Sequence, residues 1–142
     1  MPSIFTRIIQ GDLPGRFVWR DERAVALLTI APLRPGHTLV IPIEEIDHWL
    51  DCDPELMGHL TTVAHKVGQA VQDAFSPAKV GLMIAGLEVA HTHLHLVPID
   101  GLHDLDFSNA DANPDPAAMD AAAGKLRAAL RAAGHPEAVQ ST

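Results

Sequence analysis

The sequence predicts an α+β fold: a small antiparallel sheet of about five strands packed by a long helix, with a short N-terminal helix and a C-terminal helical extension. Three observations lead there. Apolar residues recur at helical spacing between Asp53-Pro54 and Ser76-Pro77. Five short β-like runs, at 16–20, 24–30, 37–43, 79–85 and 91–99, are separated by turn residues or by that helix. A second helical pattern follows Asn113-Pro114-Asp115-Pro116.

In chain order, Ser3 is an N-cap for a short helix through Ile9, whose Ile4, Phe5, Ile8 and Ile9 offer an apolar face. Gly11 and Pro14-Gly15 end it. Asp21-Glu22-Arg23 turns the first strand into the second, and Pro35-Gly36 leads into the third. There His37, Leu39, Ile41 and Ile43 share one parity. Asp53 as N-cap and Pro54 at N1 start the long helix, with Leu56, Leu60, Val63, Val67, Val71 and Ala74 as its buried stripe. His48, His59 and His65 fall ahead of, beside and opposite that stripe, as surface residues would. Residues 101–115 read as an acidic, solvated loop lacking the central Gly and final Glu of a calcium-binding EF-hand. Asp115 caps the last helix, Met119, Ala122, Leu126, Leu130 and Ala133 face inward, and Gly134 with Pro136 stops it. The expected organisation is a domain over 1–100, the acidic loop 101–115, and a helix over 116–135 packed on the same domain.

Composition narrows the function. The chain has 142 residues, 47% of them hydrophobic and 20% charged, which suits one globular domain with a real core. A net charge of −8 without any Lys/Arg cluster argues against a nucleic-acid partner. Cys52 is the single cysteine, so neither an internal disulfide nor a zinc finger can form. No apolar run reaches the roughly 18 residues of a membrane span, so no membrane partner is expected, and the cytoplasm is the default location.

The chemistry concentrates in His91-Thr92-His93-Leu94-His95-Leu96-Val97-Pro98. As a strand, this run projects His91, His93 and His95 from one face and Thr92, Leu94 and Leu96 from the other. A solvated polar face or a chance cluster is the plain alternative. A single metal ion suits the three poorly, because the outer Cα atoms stand roughly 13 Å apart in an extended strand. Two of them with His37 remain a possible metal set. A row of imidazoles better suits an extended phosphate ester, one ring attacking phosphorus while its neighbours hold oxygens.

His-x-His-x-His followed by apolar residues resembles the signature of the histidine triad (HIT) family of nucleotide hydrolases and transferases. Pro35-Gly36-His37-Thr38-Leu39-Val40-Ile41-Pro42 is similar to the family's second landmark. Ser3-Ile4-Phe5-Thr6-Arg7-Ile8-Ile9 with Gly11-Asp12-Leu13-Pro14 resembles its N-terminal helix and turn, and the likeness spans about 3–99. The resemblance implies a HIT-like fold and attack by His93 on an α-phosphate through a nucleotidyl-histidine intermediate. It implies that His95 holds a non-bridging oxygen while His91 and His37 orient the nucleophile. It places Phe5, Ile8, Leu28 and Ile30 in a base pocket, although ordinary core packing explains them equally well. Glu88 either faces the site or caps its loop. The resemblance further implies a nucleoside 5′-phosphoramidate, AMP conjugate or dinucleotide as substrate, a homodimer joined sheet edge to sheet edge, and no need for a cofactor.

Several positions depart from the family pattern. Ser3 and Thr6 stand where some members carry a zinc-binding Cys-x-x-Cys, so no metal is expected. Thr29 replaces an Asp that grips the ribose, and Leu87 replaces a Gln in the loop 83–90, which also lacks the usual Asn. These departures keep a second reading open: a nucleotide-binding or scaffold protein with little turnover. A hydrolase using a metal held by His37 and part of the triad is a third.

Overall fold

The computed structural model describes residues 1–140. Its elements are α1 (Ile4–Ile9), β1 (Phe17–Arg20), β2 (Ala24–Leu28), β3 (Thr38–Pro42), α2 (Pro54–Phe75), β4 (Lys79–Met83), β5 (Leu94–Ile99) and α3 (Pro116–Ala132). The five strands form one sheet in the order β1-β2-β3-β5-β4, with every neighbouring pair antiparallel. This is the α+β architecture that the patterning predicts.

Strand alternation sorts the sheet into two faces. Ala24, Ala26, Leu28, Val40, Leu94 and Leu96 point to α2 and α3 and join the larger core with Leu56, Leu60, Val63, Leu126 and Leu130. Val25, Leu27, Leu39 and Ile41 point the other way and pack with Phe5 and Ile8 of α1. On that second face Leu27 pairs with Leu39, and Leu39 with His95. The α1 face is therefore thin, one short helix deep, and open to a ligand beside His95.

The helices end as their capping chemistry dictates. Ser3 and Asp53 accept hydrogen bonds from the N–H groups of Thr6 and Leu56. Asp115 occupies the N-cap of α3, but its side chain makes no capping bond, contrary to expectation. At the far end Gly134 is left-handed, with φ of 84°, and the N–H groups of Gly134 and His135 return to Arg131 and Leu130.

Two other expectations need correction. The triad strand begins at Leu94 rather than at 91, because the N–H groups of His91 and Thr92 bond to Val89 and Ile46 instead of a neighbouring strand. The acidic segment is not simply a solvated loop. It contains 3₁₀ turns at Leu102–Leu105 and Phe107–Asn109. The buried Asp104 carboxylate ties it down, accepting from Arg34 at 2.6 Å and from the N–H groups of Asp100 and Gly101.

After α3 the chain returns to β1. Arg20 N–H donates to Glu137, Val139 N–H donates to Val18, and Trp19 bridges Ala138. The C-terminal segment thus covers the β1 edge, while β4 carries the other edge with Leu82 about half exposed.

Gly36 has φ of 96°, and a Cβ there would stand 2.7 Å from the Phe75 ring. Strain and clash act together at the turn that delivers His37. Gly36→Ala is expected to lower unfolding free energy by about 1–3 kcal/mol, measured by urea denaturation. A loss indistinguishable from zero contradicts this reading.

Candidate active site

Four histidines meet on the α1 face, and all are buried: His37 (2% exposed), His91 (0%), His93 (3%) and His95 (5%). That burial rules out a solvated polar strand face. His37 ends the turn before β3, His95 lies on β5, and His93 immediately precedes that strand. His91 sits on the irregular segment bonded to Val89 and Ile46. His93 and His95 have ring centroids 4.8 Å apart, and Phe5 of α1 stands edge-on to His93 at 4.9 Å.

Backbone partners determine which ring nitrogens carry protons. An amide N–H only donates and a carbonyl only accepts, so each fixes the nitrogen that it touches. Leu33 N–H donates to His37 Nδ1 at 3.0 Å, leaving the proton of neutral His37 on Nε2. That nitrogen lies 2.9 Å from His95 Nδ1, which must accept. Neutral His95 therefore presents Nε2–H. His93 Nδ1–H donates to the His91 carbonyl at 2.7 Å, so its Nε2 keeps a free lone pair. His91 donates from Nε2 to the Pro42 carbonyl at 2.8 Å and accepts at Nδ1 from the Ser3 hydroxyl at 2.7 Å.

The environment keeps His37, His91 and His95 neutral. Burial, followed by the nearby rings of His95 and His93, lowers the His37 pKa to about 3. Burial and His93 lower that of His95 to about 4. Burial also lowers His91, with the Pro42 carbonyl and Glu45 opposing it. A buried imidazole avoids the desolvation penalty only in its uncharged form.

Beside the rings lies a cavity of about 260 Å³. Phe5, Ile8, Leu28, Thr29, Ile30 and Glu88 all line it with His93 and His95. Leu28 also packs in the core on the opposite face, while Leu27 and Leu39 complete the apolar wall on the site side. Parity with His37 is the sequence signal that would have found Leu39. The exposed Glu88 stands at the wall beside Val89. Thr29 Oγ1 accepts from Ala31 N–H at 3.3 Å. Leu87 is 95% exposed and presents no polar group to the rings. A groove of about 340 Å³ between α2 and β4 holds none of the four histidines.

Sequence reasoning also missed Phe107, which packs edge-on against His95 with centroids 5.2 Å apart, and the polar partners of His91. Among the other histidines, His48 caps the 3₁₀ turn Trp49–Asp51, His65 is exposed, and His59 bonds Asp21 at 2.9 Å. Among the described residues, no group of three or more His, Cys, Asp or Glu side chains is arranged to hold a metal ion. At 3 and 6 the chain offers hydroxyls rather than thiolates, and the Ser3 hydroxyl already engages His91. This donor set does not fit a zinc site. No helix among the described residues is long and apolar enough to cross a membrane.

The chain and its fold resemble known proteins. The family model described as the HIT domain matches residues 10–102. A Bacillus subtilis protein, "Protein hit", is 35% identical over 106 residues, covering 71% of this chain and 73% of its own. A hypothetical histidine triad nucleotide-binding protein from Sulfolobus tokodaii superposes with a TM-score of 0.80 at 26% identity, covering 90% of this chain and 91% of that one. A zinc-bound histidine triad protein from Mycobacterium smegmatis gives 0.79 at 29% identity, covering 92% and 94%.

The depressed histidine pKa values make stability depend on pH. Unfolded, these rings take protons near pH 6.5, whereas folded His37 and His95 resist until about 3 and about 4. The unfolded chain binds more protons in between, so their contribution is present above pH 6.5 and is lost as pH falls towards 4. Unfolding free energy is expected to drop by up to about 1.4 kcal/mol per pH unit for each ring. Denaturant titrations from pH 7 to pH 4 read this slope, and a His37→Gln/His95→Gln double variant should flatten it. Equal slopes in the two proteins would refute the assignment.

Proposed function

The chain belongs to the HIT domain family of nucleotide-binding hydrolases and transferases, and on that premise we propose that it cleaves nucleotides at the α-phosphate through a nucleotidyl-His93 intermediate. The observation that carries this reading is the tautomer pair at the cavity. His93 Nε2 has a lone pair and His95 Nε2 a proton, and neither atom has a protein hydrogen-bond partner among the described residues.

A neutral imidazole approaches an anionic phosphate without the repulsion that an anionic nucleophile meets. His93 Nε2 attacks phosphorus, and the bond to the leaving group breaks with its electron pair on that group, which takes a proton from solvent. The attacking ring retains Nδ1–H and becomes cationic, and the His91 carbonyl at 2.7 Å stabilises that charge. His95 Nε2–H donates to a non-bridging oxygen, and His37 holds His95 in the tautomer that permits it. Water then attacks phosphorus, the P–N bond breaks, its electron pair returns to Nε2, and a proton leaves to solvent.

The wall formed by Phe5, Ile8, Leu27 and Ile30 suits a flat base, and Thr29 supplies one ribose contact in place of a carboxylate's two. The substrate class is a nucleoside 5′-phosphoramidate, an AMP conjugate or a dinucleotide, with cytoplasmic residence. The second reading, a nucleotide-binding protein with little turnover, draws its support from the exposed Leu87 and from Thr29.

Adenosine 5′-phosphoramidate in the presence of chelator distinguishes these readings. Wild type should release AMP and yield an adenylylated His93 peptide on rapid acid quench, whereas His93→Ala should lose ~10³-fold or more in kcat/KM. AMP binding without release by wild type would select the binding protein. Release only without chelator would select a metal-dependent hydrolase.

The β4 edge supports association into a homodimer, since the C-terminal segment covers the opposite edge. Light scattering should give twice the 15.2 kDa chain mass, and Leu82→Lys should reduce it to one. A monomeric wild type would remove this part of the proposal.

A further inference from the structure

We infer that Ser3, at the N-cap of α1, is a positioning residue: its hydroxyl donates to the His91 nitrogen left bare by the Pro42 carbonyl and so holds in place the His91 carbonyl that orients His93. The inference rests on the reading of His93 as the nucleophile and adds a residue outside the four histidines.

The hydroxyl has one proton and two neighbouring acceptors, and distance decides between them. His91 Nδ1 lies at 2.7 Å and Thr6 Oγ1 at 3.3 Å, so the proton goes to the imidazole. The same oxygen accepts from Thr6 N–H at 3.0 Å, which is the capping bond of α1. One atom therefore closes the helix and holds the ring.

Glu45 fixes this arrangement from the other side. Its Oε1 accepts from Ser3 N–H at 2.7 Å and from the Thr6 hydroxyl at 2.6 Å. Those two bonds hold its carboxyl below the usual range, so it stays ionised and acts only as an acceptor. Thr6 spends its own proton on Glu45, and its 3.5 Å approach to His91 Nδ1 leaves Ser3 as the donor there.

His91 is thereby tied at both ring nitrogens, to Ser3 and to the Pro42 carbonyl, in a fully buried position. Its carbonyl is the acceptor for His93 Nδ1–H. If the donor at His91 Nδ1 is lost, that nitrogen either stays unpaired in a buried site or takes a proton. Each outcome disturbs the segment that aims His93. The same helix carries Phe5 onto the His93 ring at 4.9 Å, so base wall and nucleophile share one anchor.

The test separates capping from proton donation. Ser3→Asp keeps a strong N-cap acceptor but has no proton to give, whereas Ser3→Thr keeps both. Nitrogen-15 NMR of histidine-labelled protein at neutral pH should show wild-type His91 protonated at Nε2 and bare at Nδ1, with His93 the reverse. Ser3→Asp should gain a proton at His91 Nδ1 and lose at least about tenfold in kcat on adenosine 5′-phosphoramidate, as expected for a wrongly protonated partner. Its KM should stay within about threefold. Ser3→Thr should match wild type in both readouts. Should wild type not cleave the phosphoramidate, the enzymatic reading fails and the nitrogen signatures alone decide the role of Ser3. A proton on wild-type His91 Nδ1, or an unchanged His91 in Ser3→Asp, overturns the inference.

Discussion

His37, His91 and His93 each touch a main-chain group whose hydrogen-bonding direction cannot be reversed. Leu33 N–H can only give, and the carbonyls of Pro42 and His91 can only take. From those three constraints the proton on each ring follows, including that of His95, which among the described residues has only His37 to bond. The sheet and its turns thereby act as the electrostatic frame of the site. The cluster needs no buried carboxylate to orient it, because amides and carbonyls of fixed polarity do that work in a place where an unpaired charge would be costly.

The two faces of the sheet divide the labour. One face buries α2 and α3 in a continuous apolar core that includes Val40 of β3 and Leu94 and Leu96 of β5. The other carries little beyond α1 and leaves room for a ligand. The strap at 101–111 reinforces the same side. Arg34 reaches both Asp100 and Asp104, Asp111 N–H bonds the Pro32 carbonyl, and Phe107 covers His95. The loop that supplies Leu33 N–H is thus fastened to the segment that shields the ring receiving the relay.

The fold was legible wherever one physical period dominates. The stripe read from Leu56 to Val71 is the buried face of α2, and the parity of Leu39 and Ile41 places both on the α1 side. Legibility failed at the strand ends beside the site, where main-chain groups leave the ladder for loop partners, as at His91 and Thr92. The four histidines lie in two short motifs and can be read locally. Ser3 and His91 are 88 positions apart, and Arg34 and Asp104 are 70 apart. Neither pairing leaves a periodic trace. Phe107 is an aromatic in an acidic stretch, and only the two 3₁₀ turns bring it to His95.

The return of residues 137–139 to β1 has a consequence for how copies of the chain can add to one another. A sheet with two open edges can keep recruiting strands, and the product is a ribbon of indefinite length. Here one edge is occupied by the chain's own C-terminal segment, so strand addition has a single direction. Once two copies meet through β4, both remaining edges are the covered ones, and growth stops at a closed pair. Residues 137–139, which lie beyond the HIT match at 10–102, therefore leave β1 closed to a strand from another copy.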